Sequence, residues 1–118
     1  MSAGAEPVKQ HLAPFRVDVH PERDVVRVVP VGELDLATAA LLERELHELR
    51  DSGFDHVVLD MHNLSFIDSS GLRELVIAAR RARRAGYPFR AVNPSEHIRR
   101  LFELTALDKT IAVAPADG

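Results

Sequence analysis

Apolar and polar positions along the chain switch between a period of two and a period between three and four. Phe15-Arg16-Val17-Asp18-Val19 alternates strictly, as a half-exposed strand does. Pro21-Glu22-Arg23-Asp24 supplies turn residues, and Val25-Val26-Arg27-Val28-Val29-Pro30-Val31 predicts a second, more buried strand folded back on the first as a hairpin. Pro30 has no N–H to give a ladder, so it is expected at a strand end, a bulge or an unpaired side. Gly32 to Thr38 reads as a loop into a first helix. That helix has Ala39, Leu42, Leu46 and Leu49 on one stripe, and Glu43, Arg44, Glu45, His47, Glu48 and Arg50 on its solvated faces. Asp51-Ser52-Gly53 ends it, Gly53 being suited to a left-handed turn.

His56-Val57-Val58-Leu59-Asp60 is short, apolar and β-branched, the pattern of a strand buried on both faces. Leu72, Leu75, Val76, Ala79 and Ala82 mark a second helix from about Ser69 to Ala85, closed by Gly86. Phe89-Arg90-Ala91-Val92 predicts a strand, and Asn93-Pro94-Ser95 a helix start with Pro in the first turn. Ile98 and Leu101, with Phe102 beside them, form the stripe of a third helix running to about Leu104, and Thr110-Ile111-Ala112-Val113 makes a last strand. The order β-β-α-β-α-β-α-β predicts an α/β fold, a mostly parallel mixed sheet with an antiparallel edge hairpin and helices packed on it. Residues 1–13 read as a flexible tail, 14–114 as the domain and 115–118 as a loose end. In such sheets ligands and partners meet the carboxyl ends of the strands. The loops Gly32 to Thr38 and Met61 to Ser70 both leave from those ends and are expected on one rim.

Composition narrows the function classes. The chain has 118 residues, enough for one domain with its own core, and no cysteine, so disulfides, thiol nucleophiles and thiolate metal sites are excluded. A net charge of −3 gives no general attraction to nucleic acid or anionic lipid. No apolar run nears the roughly 18–20 residues of a membrane span, and the start lacks a secretory signal pattern. The expectation is a cytoplasmic protein without membrane or direct nucleic-acid contact. Arg80, Arg81, Arg83 and Arg84 read as a solvated helix end whose cations complement the dipole.

Candidate chemistry concentrates at Asp68-Ser69-Ser70-Gly71, where the second helix begins. A helix start has unpaired N–H groups and a positive pole, so a serine there either caps the helix or accepts a phosphate that this end then favours. A serine-hydrolase elbow would need glycines at both flanking positions, and Ile67 stands at one of them. Val57 to Met61 resembles the phospho-accepting strand of receiver domains, but the opening hairpin breaks the order that chemistry requires, leaving Asp60 a polar strand terminus. Phosphate loops and His/His/Glu metal spacing are absent. No enzymatic activity, metal or cofactor is expected.

A resemblance sharpens this. Val31-Gly32-Glu33-Leu34-Asp35 with Thr38-Ala39, then Leu64 to Leu72, then Arg100-Leu101-Phe102-Glu103-Leu104 and Leu107, resembles the bacterial anti-sigma factor antagonists, the single-domain members of the STAS family. The resemblance implies a non-enzymatic switch. Its unphosphorylated form would bind an anti-sigma factor that is also a serine kinase and thereby free a sigma factor; phosphorylation at Ser69 would end binding, and a PP2C-type phosphatase would restore it. The implied partner-binding residues are Glu33, Asp35, Asp68, Ser69, Ser70, Gly71, Leu72 and Arg73, on a monomer or weak homodimer. Leu36-Ala37 departs from the more polar residues frequent at that place in the family. The alternative is a non-switching STAS scaffold, or a small-anion or nucleotide-binding module, in which Ser69 is purely a cap.

Overall fold

The computed structural model describes residues 14–54, 56–105 and 112–114. The expected tail over 1–13, the loose end over 115–118, Leu107, and Thr110 and Ile111 of the last expected strand lie outside the described residues. Strands β1 (Arg16–Glu22) and β2 (Val25–Leu34) form the hairpin, followed by helix α1 (Leu36–Asp51) and strand β3 (Val57–Asp60). Strand β4 (Leu64–Ile67), helix α2 (Ser69–Ala85), strand β5 (Phe89–Val92), helix α3 (Glu96–Leu104) and strand β6 (Ala112–Ala114) complete the order. Neighbours across the sheet run β1-β2-β3-β5-β6, with β4 attached to β2. Among the described residues only the β1–β2 pair is antiparallel. This is the expected α/β architecture, with one strand more.

The added strand is β4, which the alternation did not announce because its burial runs buried, exposed, exposed, buried. A bulge causes this. Gly32 pairs with Leu64 and Glu33 with Phe66, so Ser65 is an extra residue, and its hydroxyl donates to the Gly32 carbonyl at 3.0 Å. Gly32 has φ 114°, a conformation few residues but glycine adopt. β2 is longer than expected for the same reason: it continues through the anticipated loop to Leu34 in order to pair with β4.

Pro30 sits where β2 changes partner. The amide of Val26 donates towards β3, to His56 O at 3.0 Å, and that of Gly32 donates towards β4, to Asn63 O at 3.0 Å. Alternate residues of a strand point the same way, so the nitrogen of Pro30 faces that side too. There the β3 pairing has ended at Val28↔Leu59 and the β4 pairing has yet to start at Gly32↔Leu64. The missing N–H therefore costs no ladder bond. Two smaller expectations shift: the hairpin turn is only Arg23-Asp24, with Pro21 and Glu22 in β1, and Pro94 precedes the α3 cap, Ser95, instead of standing in the first turn.

Helix stripes and sheet residues close on one core. Leu42 of α1, Leu75 and Ala79 of α2, and Ile98 and Phe102 of α3 pack with Val26, Val28, Val57, Leu59 and Ala91. Leu34, Leu64 and Ile67 extend this core under the rim where β2 and β4 end. Gly71 lies at that point. A Cβ there would stand 2.5 Å from the carbonyl oxygen of Leu34 and 2.8 Å from Ile67 Cγ1, too close for either to yield without moving backbone. Gly71→Ala is expected to destabilise the fold by about 1–3 kcal/mol, the usual range for overpacking. A urea midpoint equal to wild type would show that α2 is not held this tightly.

Candidate functional site

The rim is built from two strand ends and two helix starts. Leu34 and Ile67 are register partners at the ends of β2 and β4, and each is followed by an aspartate that caps a helix. Asp35 accepts from the Thr38 amide at 3.0 Å, while its own amide donates to the Thr38 hydroxyl at 2.9 Å, a reciprocal capping box. That hydroxyl also donates to the Glu33 carbonyl at 2.7 Å, which ties the end of β2 to α1. Asp68 accepts from the Gly71 amide at 3.0 Å, and its amide donates to Leu34 O at 3.1 Å. The two helix starts are thus neighbours held by main-chain bonds, and both expected loops do meet on one rim.

This corrects the reading of Ser69, with Ser70 beside it, as the cap. Asp68 takes that task, so Ser69 is the first residue inside α2, exposed, with Ser70 half-buried behind it. Gly71 and Leu72 donate to Asp68, and among the described residues no acceptor is provided for the amides of Ser69 and Ser70. Those two amides and the helix dipole favour an anion at this end, whereas the Asp68 carboxylate next to it opposes one.

The other candidate residues separate by exposure. Glu33 and Arg73 are exposed, while Asp35 and Leu72 are half-buried, Leu72 against the core. Gly71 is buried, and it acts through the close approach described above. Of the arginine cluster, Arg83 and Arg84 lie in the last turn as expected. Arg81 instead reaches across to Glu43 of α1 at 3.0 Å.

Two features of this end go beyond what the sequence reading gave them. Phe66 and Leu36 are exposed apolar side chains beside Ser69, a consequence of the bulge and of a helix start that no pattern of period two reveals. The second is Asp60, at the carboxyl end of β3. Its buried carboxylate accepts from Arg27 Nη1 at 3.0 Å, His62 Nδ1 at 2.7 Å, the His62 amide at 3.1 Å and Asn93 Nδ2 at 3.2 Å. A polar residue closing an apolar run was the available signal. Burial alone would raise its pKa, but the bonds from the His62 ring, Asn93 and the His62 amide, with the His62 charge, outweigh burial and hold it below 3.8. With four donors on it, this carboxylate ties β2, β3 and the turn after β5 together and is not presented for phosphoryl chemistry. Among the described residues no group of His, Asp or Glu is arranged to hold a metal ion, and no helix is long and apolar enough to cross a membrane.

Comparison with known proteins agrees with this geometry. A family model described as the STAS domain matches residues 16–116. The chain is 30% identical over 100 residues to the anti-sigma-B factor antagonist of Bacillus subtilis, covering 85% of this chain and 91% of that one. It is 33% identical over 76 residues to the anti-sigma-B factor antagonist of Staphylococcus aureus, covering 64% of this chain and 70% of the other. The crystal structure of an anti-sigma factor antagonist from Mycobacterium paratuberculosis superposes with a TM-score of 0.75 at 26% identity, covering 87% of each chain.

Two outcomes test the site's construction. Asp68→Ala is expected to cost about 1 kcal/mol in urea unfolding, as loss of a cap does. Ser69→Ala, which removes no cap, should shift stability by less than about 0.5 kcal/mol, and the reverse order would restore Ser69 as the cap. Because the folded pKa of Asp60 is lowered, its contribution is complete above 3.8 and is lost as pH falls through the lowered value. Wild type should therefore lose stability more steeply than Asp60→Asn on acidification below about pH 4. At neutral pH the variant should be less stable by about 1–3 kcal/mol. Parallel acid-unfolding curves would show that the carboxylate carries no such linkage.

Proposed function

We propose a function from the premise that the chain belongs to the STAS domain family: it is an anti-sigma factor antagonist switched by phosphorylation of Ser69. Its unphosphorylated form binds an anti-sigma factor with serine kinase activity and frees the sigma factor. The observation that carries this reading is the placement of Ser69. It is exposed at the first position of α2, on the rim where two loops meet, and Asp68 relieves it of capping. Its hydroxyl can be modified without dismantling the helix start.

In the transfer the γ-phosphorus of ATP bonds to Ser69 Oγ, the bond to the ADP oxygen breaks, and the serine proton passes to a base of the kinase. The product carries about −1.5 to −2 charges at neutral pH. The amides of Ser69 and Ser70 and the dipole of α2 stabilise it on the free protein. At the interface the balance differs. One pair of like charges about 6 Å apart repels by about 3 kcal/mol at an effective dielectric near 20, which is roughly two decades in dissociation constant. A local change of charge therefore suffices to release the partner without refolding, and hydrolysis by a PP2C-type phosphatase returns the binding form. The chain itself catalyses none of these steps.

The test is intact-mass spectrometry with site mapping after incubation with ATP and each candidate anti-sigma kinase of the same genome. One phosphate, on Ser69, is expected. Ser69→Ala should take none yet still bind, and Ser69→Asp should lose the partner while its circular dichroism stays native. Phosphate on Ser70 would reassign the acceptor. Binding without any phosphate would leave an unswitched scaffold.

A further inference from the structure

The rim that presents Ser69 also presents two large apolar side chains to solvent: Leu36 is 77% exposed and Phe66 is 43% exposed. Neither position is dictated by the fold. Leu36 is the first residue of α1, where a polar side chain would serve the helix equally well. Phe66 faces outward because of the bulge at Ser65. In a regular ladder from Gly32↔Leu64 it would stand opposite Leu34, on the core side, whereas here it stands opposite the exposed Glu33.

Both lie next to the acceptor. Leu36 and Ser69 are each two residues beyond the register pair Leu34↔Ile67, and Phe66 directly precedes Ile67. Paired strands are about 4.8 Å apart. A specific interface covers about 800 Å² per partner, a disc of about 16 Å radius, so a kinase seated on Ser69 covers both side chains.

We infer that Leu36 and Phe66 are the apolar anchors by which the anti-sigma factor holds this chain. Binding strength thus resides in the anchors and switching resides in Ser69 between them. This rests on the function proposed above. The occupant it requires is the kinase surface that reaches Ser69, offering apolar pockets beside basic groups that complement Glu33. Hot spots are few and central, and aromatic side chains are enriched in interface cores, a pattern that Phe66 fits, while Leu36 adds apolar area buried beside it.

The experiment is titration calorimetry of wild type, Leu36→Ala, Phe66→Ala and Leu104→Ala against the anti-sigma factor that wild type binds, with thermal melting of each. Leu104 is the control. It is 76% exposed, but at the far end of α3, which starts at the carboxyl ends of the strands and runs back towards their amino ends. Each anchor variant should weaken binding at least 10-fold with unchanged melting, and should raise the KM for phosphorylation of Ser69 without changing kcat. Leu104→Ala should bind as wild type. Anchor variants that bind within twofold of wild type would overturn the inference and leave the proposed function standing, and so would an equal loss with Leu104→Ala. Were Phe66→Ala to lose its fold, Leu36→Ala would decide alone. If wild type binds no anti-sigma factor, the proposed function fails and the anchors fail with it.

Discussion

The carbonyl oxygen of Leu34 is the point on which the rest of the rim depends. It accepts the amide of Asp68 and leaves no room for a side chain at residue 71. This joins the last residue of β2 to the first turn of α2, so two strand ends, two helix starts and the serine between them move as one body. Main-chain hydrogen bonds at a buried site are costly to break, because neither partner finds water in exchange. Ser69 is consequently fixed in place relative to the end of β2 and the capped start of α1.

The same junction explains the course of β2. This strand serves two neighbours in succession, β3 in its first half and β4 in its second, and its only proline occupies the gap between them. Below that gap, Asp60 gathers Arg27, His62 and Asn93 around one buried carboxylate and ties β2 and the turn after β5 to the end of β3. A buried charge is tolerated here because four donors replace the water it lost. The proline is tolerated because it falls in that gap, and the aspartate holds the end of β3 to its neighbours.

Assigning the cap to Asp68 rather than to Ser69 changes how a switch can be built. A capping serine would have to rearrange its bond to the helix amides on modification, coupling the switch to the geometry of the helix start. A serine one position further in has no such bond to lose. In the proposed switch a phosphate on Ser69 would act through its charge, on the surface seated over the rim.

The local periodicities determined the strands β1, β2, β3 and β5, the three helices and the parallel order of the sheet, since burial on one face imposes a spacing that can be read residue by residue. The motif Asp68-Ser69-Ser70-Gly71 placed the proposed acceptor at a helix start, and the likeness to anti-sigma factor antagonists is what supports that proposal. Only the tertiary structure decided that β4 exists. Its extra residue, Ser65, destroys the alternation, and a bulge becomes visible only against the partner strand that fails to match it. Only the structure, likewise, could say which of three consecutive polar residues caps α2. Asp, Ser and Ser are all competent caps, and the choice falls to the one whose amide reaches the carbonyl of Leu34, thirty-four residues earlier in the chain.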